Sequence, residues 1–414
     1  MNRTLSARLS LMMFLEFFIW GSWYVTVGNY MTSVGMADTI DWAFSVHPIG
    51  SIVSPFFLGM VADRFFATEK VLGVTQMIGG VALLMAPAFA GSPPGFIAML
   101  LLHSLCFAAT MGLANTLAFH HVTDQEKQFP LIRVFGTIGW IVAGVLVSGI
   151  LHADETPIPF YVGGGAAILM GLYSFSLPHT PPPLAGTRPK AREILGLDAL
   201  SRLSSRPFWV FIASSLLICI PLSAYYAYAP VFVNAAGVSD PAFKMSFGQM
   251  SELFFMLLMP FFFARLGVKW MLAMGMLAWV ARYALFALGA PATITWMIIL
   301  GILLHGICYD FFFVAGQIYV DKRSEPGIRG QAQGFVVFVT YGVGMLLGAQ
   351  IAGALFDSVL GADVSQSMQT WATFWWIPAA FAAAVLAAFI VLFKSDVDEG
   401  APAKVPEVAT EAGP

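Results

Sequence analysis

Leu101-Leu102-His103-Ser104-Leu105-Cys106-Phe107 and Leu303-Leu304-His305-Gly306-Ile307-Cys308-Tyr309 are nearly one heptapeptide written twice, 202 residues apart. Two other pairs keep a similar spacing. Pro55-Phe56-Phe57 matches Pro260-Phe261-Phe262 at 205 residues, and Ile132-Arg133 matches Ile328-Arg329 at 196. Three matches in the same order mark an internal duplication. Every copy lies in or beside an apolar stretch of about 20 residues, the length that carries a helix across a bilayer. The duplicated unit is therefore a set of membrane-spanning helices.

The composition agrees. Hydrophobic residues make up 58% of the 414, charged residues only 10%, and mean hydropathy is +0.80. A soluble domain is about a quarter charged, so a water-facing globular class is excluded. The net charge of −3 says little about partners. Cys106, Cys219 and Cys308 all fall in apolar runs and read as small buried hydrophobes rather than a disulfide framework.

A window of span length places about twelve helices at 8–33, 41–63, 71–91, 95–120, 130–151, 158–177, 208–234, 244–264, 269–289, 292–319, 330–356 and 370–393. The first contains Glu16 and is too long for a signal peptide, so it is expected to be retained. Residues 178–207 form a proline-rich, basic linker whose second half fits a short surface helix, and 395–414 read as a disordered tail. The domains expected are a six-helix bundle at 1–177, the linker at 178–207, a second bundle at 208–394 and the tail at 395–414. Arg64, Lys70, Lys127, Arg188, Lys190, Arg192, Arg265, Lys269 and Lys322 fall on one side of these spans, with Lys244 the exception on the other. The positive-inside rule then puts both termini and the linker in the cytoplasm.

Two parallel six-helix repeats related by an axis along the membrane normal resemble the major facilitator superfamily. Gly59-Met60-Val61-Ala62-Asp63-Arg64 is similar to that superfamily's G-x-x-x-D-R loop motif. Asp63 and Arg64 are accordingly expected to latch the halves together and separate when they rock; the plain alternative is an interfacial anchor.

Glu16, Glu252 and Asp310 each sit inside a span. An ionised carboxylate at mid-membrane costs roughly 3 kcal/mol on insertion scales, and such residues usually face water or a partner. Counting back along the repeat, Asp310 corresponds to Ala108 and Glu252 to His47, so acidic chemistry has been added mostly to the second half. Asp310, between Tyr309 and Phe311, can hold a proton in the membrane and release it where water enters; the alternative is a fixed ion pair with an arginine. Gln249 and Glu252, three apart on one helix face, can together donate and accept hydrogen bonds. Glu16, Trp20 and Trp23 form a stripe at i, i+4 and i+7. The indoles would stack on an aromatic ligand or pack between helices, and Glu16 is the alternative proton carrier. Arg133, Thr137 and Trp140 form a second such stripe; Arg133 either snorkels or faces inward to pair with a carboxylate. Tyr225 and Tyr226 point about 100° apart on a helix, so only one is expected at a common wall. His47 and Arg282 read as structural residues first.

Several stretches resemble the bacterial nucleoside:proton symporters of that superfamily: Trp20-Gly21-Ser22-Trp23, Phe129-Pro130-Leu131-Ile132-Arg133-Val134-Phe135-Gly136-Thr137-Ile138-Gly139, Gly196-Leu197-Asp198-Ala199, Gln249-Met250-Ser251-Glu252, Tyr309-Asp310-Phe311 and Ala332-Gln333-Gly334. The resemblance implies a nucleoside site between the halves and maps substrate positions onto Arg133, Thr137, Gln249, Glu252 and Asp310. It also favours Tyr226 over Tyr225. The chain departs where well-known members carry amides, having Ser223 and Tyr226 in helix 7 and Glu16 in helix 1.

The expected function is proton-coupled nucleoside uptake across the cytoplasmic membrane. Gln249, Glu252, Tyr226, Thr137, Trp20, Trp23, Tyr309 and Arg133 would bind substrate, and Asp310, Glu252 and Glu16 would couple the proton. No cofactor, metal or nucleic acid is expected, and a monomer suffices for this architecture. The rivals are a transporter of another polar solute and, with no nucleophile or metal constellation behind it, a membrane enzyme or receptor.

Overall fold

The computed structural model describes residues 3–54, 58, 60–123, 125–182, 203–325, 328–361 and 367–395. The second Pro-Phe-Phe partner at 55–57, the Gly-Leu-Asp-Ala stretch at 196–199 and its proposed surface helix, the Asp63 side chain and the tail beyond 395 lie outside the described residues. Among the described residues the secondary structure is helical throughout.

Among the described residues nine helices are long and apolar enough to cross a membrane. One of them, Pro241–Gly289, is a double crossing of 49 residues divided at Gly267, whose φ of 64° no β-carbon-bearing residue adopts easily. Ile40–Ser54 and Ile158–Ser174 are shorter apolar helices. Together these make the twelve crossings: α1 Arg3–Ser33, α2 Ile40–Ser54, α3 Thr68–Met85, α4 Pro93–His121, α5 Gln125–Gly144, α6 Ile158–Ser174, α7 Arg206–Ala235, α8 241–266, α9 268–289, α10 Thr295–Arg323, α11 Arg329–Val359 and α12 Met368–Leu392. Starts follow local chemistry. Pro207 follows Arg206 at the head of α7, where the Ser205 hydroxyl accepts the Phe208 N–H at 3.3 Å, and prolines open α4 and α8 where no N–H is needed.

The helices pack as two bundles with the same pairings. In the first, α1 packs on α5, α2 on α4 and α3 on α6; in the second, α7 packs on α11, α8 on α10 and α9 on α12. Small residues allow this without a hydrophobic drive between helices. A β-carbon on Gly80 of α3 would lie 2.9 Å from the Gly164 carbonyl of α6. In each bundle a serine bonds across to the duplicated heptapeptide, at a different residue of it. Ser54 Oγ donates to the Leu105 carbonyl at 2.5 Å between α2 and α4, and Ser251 Oγ donates to the Leu303 carbonyl at 2.7 Å between α8 and α10.

Among the described residues several crossings depart from the regular α-helix. Val145–Ile150 at the end of α5, Tyr309–Val314 in α10 and Phe338–Gly344 in α11 are wound as π-helix, a widened turn that occurs mostly at functional sites. Helix α1 also loosens into a turn at Tyr24–Thr26.

The bundles touch mainly through one end of the molecule, the end opposite the linker. There α7 meets the last turns of α1, and the outer parts of α2 and α11 pack together, with Gln350 Nε2 donating to Ser45 Oγ at 2.9 Å. At the same end His152 Nδ1 lies 2.6 Å from Asp240 Oδ1, and Asn234 Nδ2 donates to Glu155 Oε1 at 2.5 Å. Asp240 occupies the N-cap position of α8 but makes no cap bond. Asp154 of the other bundle caps instead: its Oδ1 accepts the Ala242 N–H at 2.9 Å and its Oδ2 accepts the Ser148 hydroxyl at 2.6 Å. Burial pushes the Asp154 carboxyl above the ordinary aspartate range, and the nearby Asp240 carboxylate adds to this.

Candidate functional site

A cavity of about 100 Å³ lies between the bundles at mid-span. Seven helices build its wall. The first bundle supplies Phe17, Trp20 and Tyr24 from α1, His47 and Pro48 from α2, and Arg133, Thr137 and Trp140 from α5. The second supplies Tyr226 from α7, Gln249 and Glu252 from α8, His305 and Tyr309 from α10, and Tyr341 and Met345 from α11.

Aromatic rings form most of this wall. Trp20 sits at the centre, with ring centroids 4.5 Å from His47, 5.2 Å from Trp140 and 5.5 Å from Tyr24. Tyr24 reaches Tyr226 across the bundle boundary at 6.0 Å. The Tyr309 and Tyr341 hydroxyls are hydrogen-bonded at 2.5 Å.

The charged pair is placed differently. The Arg133 guanidinium lies 4.0 Å from the Phe17 ring centroid, a cation–π contact. Glu252 attracts it across the cavity, yet among the described residues no hydrogen bond or ion pair joins them. Several polar atoms of the wall are buried without partners: Trp20 Nε1, His47 Nδ1, Gln249 Oε1 and His305 Nδ1. A buried polar atom left unpaired costs about 1–3 kcal/mol. The wall thus combines faces that accept a flat ring with donors and acceptors that a polar ligand would satisfy.

Of the residues singled out in the sequence, Arg133, Thr137, Gln249, Glu252, Tyr226, Tyr309 and Trp20 come together here. Trp23 does not. It is buried edge-on to His103 at 5.4 Å and beside Phe160 at 6.4 Å, in the packing of α1 with α4 and α6. Glu16 points the same way, enclosed in the first bundle, where Gln76 Nε2 donates to it at 2.7 Å and Thr110 Oγ1 also donates. Asp310 follows Tyr309 but is absent from the cavity wall. It is fully buried behind it, with neither carboxylate oxygen hydrogen-bonded. Arg64 ends the short helix Met60–Arg64 at the linker end of the molecule. Tyr225 turns away from the cavity and stacks between His305 (5.4 Å) and the Arg282 guanidinium (4.0 Å), which leaves Tyr226 at the wall. Arg282 is a scaffold residue, its Nε donating to the Gly301 carbonyl at 3.2 Å.

Sequence reasoning overlooked Phe17, Tyr24, Tyr341 and Met345. Phe17 and Tyr24 extend the Trp20 stripe by one turn each way, so the signal was present. Tyr341 and Met345 sit in the glycine-rich part of α11, where the π-helical turn fixes what faces inward and no periodicity announces it.

A family model described as nucleoside H+ symporter matches residues 2–398. The chain is 38% identical over 406 residues to "Putative nucleoside transporter YegT" of Escherichia coli (strain K12), covering 95% of each chain. It is 30% identical to the nucleoside permease NupG of the same organism, covering 94% of this chain and 96% of the relative. The crystal structure of NupG superposes with a TM-score of 0.84 over 95% of this chain and 100% of that one. A D-xylose-proton symporter, 13% identical, shares the fold at a TM-score of 0.73 over 96% and 99% of the two chains.

Proposed function

Since this chain belongs to the nucleoside H+ symporter family, we propose that it takes up nucleosides with protons by alternating access of the central cavity. It is a multi-pass membrane transporter, not an enzyme, with the major facilitator fold. The observation that carries the reading is the wall itself: a Trp20–Tyr24–Trp140–Tyr226 aromatic box beside unpartnered polar atoms and one carboxylate, Glu252.

In the proposed cycle the nucleobase stacks in the aromatic box. Gln249 and Glu252 meet its polar edges or the ribose hydroxyls, and Thr137 and Arg133 complete the wall. Glu252 takes up the proton. Neutralising it removes a charge whose mid-membrane cost is roughly 3 kcal/mol, so closure around the loaded site becomes easier. Asp310, behind Tyr309 and electrostatically coupled to Glu252, is the second proton site. In this reading the bundles, taken as 1–177 and 208–394, rock about the cavity, with the cytoplasm at the end that carries both termini. The contacts at 152–155 with 234–242 then form the outer seal, and the structure is sealed outward. Arg64, with Asp63, would latch the opposite end when the site faces out. Each proton moved inward gains about 2.3 kcal/mol per 100 mV, which supports accumulation.

Energised cells should alkalinise the medium when a transported nucleoside is added, and an uncoupler should abolish accumulation. Uptake unaffected by the uncoupler refutes the coupling. Absence of thermal stabilisation of the purified protein by any nucleoside refutes the substrate class.

A further inference from the structure

Two π-helical turns on adjacent helices each present a tyrosine to the cavity. Tyr309 opens the π-turn of α10, and Tyr341 lies inside that of α11. Their hydroxyl oxygens are 2.5 Å apart. The Tyr341 ring also rests on Phe313 at 5.8 Å, which in turn contacts Tyr309 at 5.4 Å. The pair is thus held by its rings as well as by its hydroxyls.

The hydrogen count decides what this pair can do. A phenol carries one hydrogen and accepts through its oxygen. In a bonded pair one hydroxyl donates to the other, and whichever donates, one hydrogen remains. Both side chains line the cavity, so that hydrogen is available to a ligand there. The donor is also strengthened, because its oxygen already accepts a bond and chained hydrogen bonds polarise one another.

We propose that Tyr341 is a positioning residue. Its hydroxyl aims the Tyr309 hydroxyl so that the pair offers a single donor to an acceptor oxygen or ring nitrogen of the substrate. The inference rests on the nucleoside reading above and deepens it. The site thereby favours solutes bearing an acceptor at that point of the wall.

The test is a cycle of Y341F, Y309F and the double variant in the full chain, reconstituted in liposomes. The KM of uptake and the Kd of binding are measured for uridine, adenosine and xanthosine, and Tm for each protein. One neutral hydrogen bond corresponds to about 3- to 10-fold in affinity. Y341F should raise KM and Kd by that factor with Tm little changed, and should add less than twofold in the Y309F background. Equal effects of Y341F in both backgrounds would show that it acts without Tyr309 and overturn the proposal. So would unchanged affinity, or a Y341F protein that cannot be recovered folded, since either assigns Tyr341 to packing alone. If none of the three nucleosides binds the wild type while its Tm and fold are intact, the functional reading fails, and this one with it.

Discussion

Removing Asp154 should open the outer seal, and the size of the effect can be worked from its contacts. Asp154 caps α8 from the opposite bundle, taking the Ala242 N–H and the Ser148 hydroxyl. A side-chain cap is worth about 1 kcal/mol, and a carboxylate at a helix N-terminus adds about 0.3–1 kcal/mol. The burial that pushes its carboxyl pKa up offsets part of this gain. The His152–Asp240 pair beside it is solvent-exposed at the histidine, with 67% of that side chain accessible, so it contributes at most about 1 kcal/mol. Asp154→Ala should therefore shift the sealed-to-open equilibrium by about 1 kcal/mol, roughly 5-fold. The assay is the rate at which a membrane-impermeant maleimide, added at the His152 face, labels Met345→Cys in the cavity wall. The native cysteines are all buried and provide the background. The pH response has a definite sign. Because the carboxyl pKa is higher in the sealed form than in a solvated one, the sealed form binds the proton more tightly. Acidifying that face from neutral pH toward the raised value should slow labelling. The stabilisation is lost again as pH rises through that value. The Asp154→Ala protein should lack this component. Labelling no faster in the variant would refute the claim that a cap supplied across the bundles holds the seal.

Other outcomes follow from the same geometry. Glu252→Gln and Asp310→Asn should each lose concentrative uptake in proteoliposomes with an imposed proton gradient; wild-type accumulation by either removes it from the coupling machinery. Glu16→Gln should keep concentrative uptake, since the amide oxygen can accept from Gln76 while its NH2 donates to the Thr110 hydroxyl, and loss of coupling in this variant would restore Glu16 as a proton carrier. Trp20→Ala should weaken nucleoside binding by roughly 5- to 150-fold, the range of about 1–3 kcal/mol for stacking on an aromatic. Trp23→Ala should leave Kd nearly unchanged while lowering stability by about 3–5 kcal/mol, read by thermal unfolding; a reversed pattern would mean that the two indoles have been assigned the wrong way round.

The fold was legible because lipid imposes few options. Apolar length gives the crossings, and the repeated Leu-Leu-His heptapeptide gives their twofold arrangement. Parts of the site were legible where a regular helix carried them. Arg133, Thr137 and Trp140 keep their i, i+4, i+7 register in the cavity wall, and so do Gln249 and Glu252 at i, i+3. It was illegible where the helix departs from 3.6 residues per turn. Trp23 was expected beside Trp20, but the seven-residue stripe from Glu16 is broad enough to straddle two environments. Glu16 and Trp23 fall on the bundle side, while Phe17, Trp20 and Tyr24 fall on the cavity side. In α10 and α11 the π-turns change which residues face inward, which is why Tyr341 could not be foreseen.

The duplicated heptapeptide shows how one scaffold hosts chemistry in one copy and packing in the other. His103 and His305 occupy the same place in the repeat. His103 Nδ1 bonds the Gly79 carbonyl at 3.0 Å and is sealed inside the first bundle. His305 Nδ1 finds no partner, and its ring faces the cavity. The difference lies in the neighbouring helices. In the first bundle Gly79 of α3 brings a carbonyl within reach of the imidazole. In the second the ring is held from behind by Tyr225, itself capped by Arg282. One position can serve a structural role once and a ligand-facing role the second time because a backbone acceptor engages Nδ1 in one copy, while in the other Nδ1 is left without a partner. A change of neighbour thus alters what the same position in the repeat does.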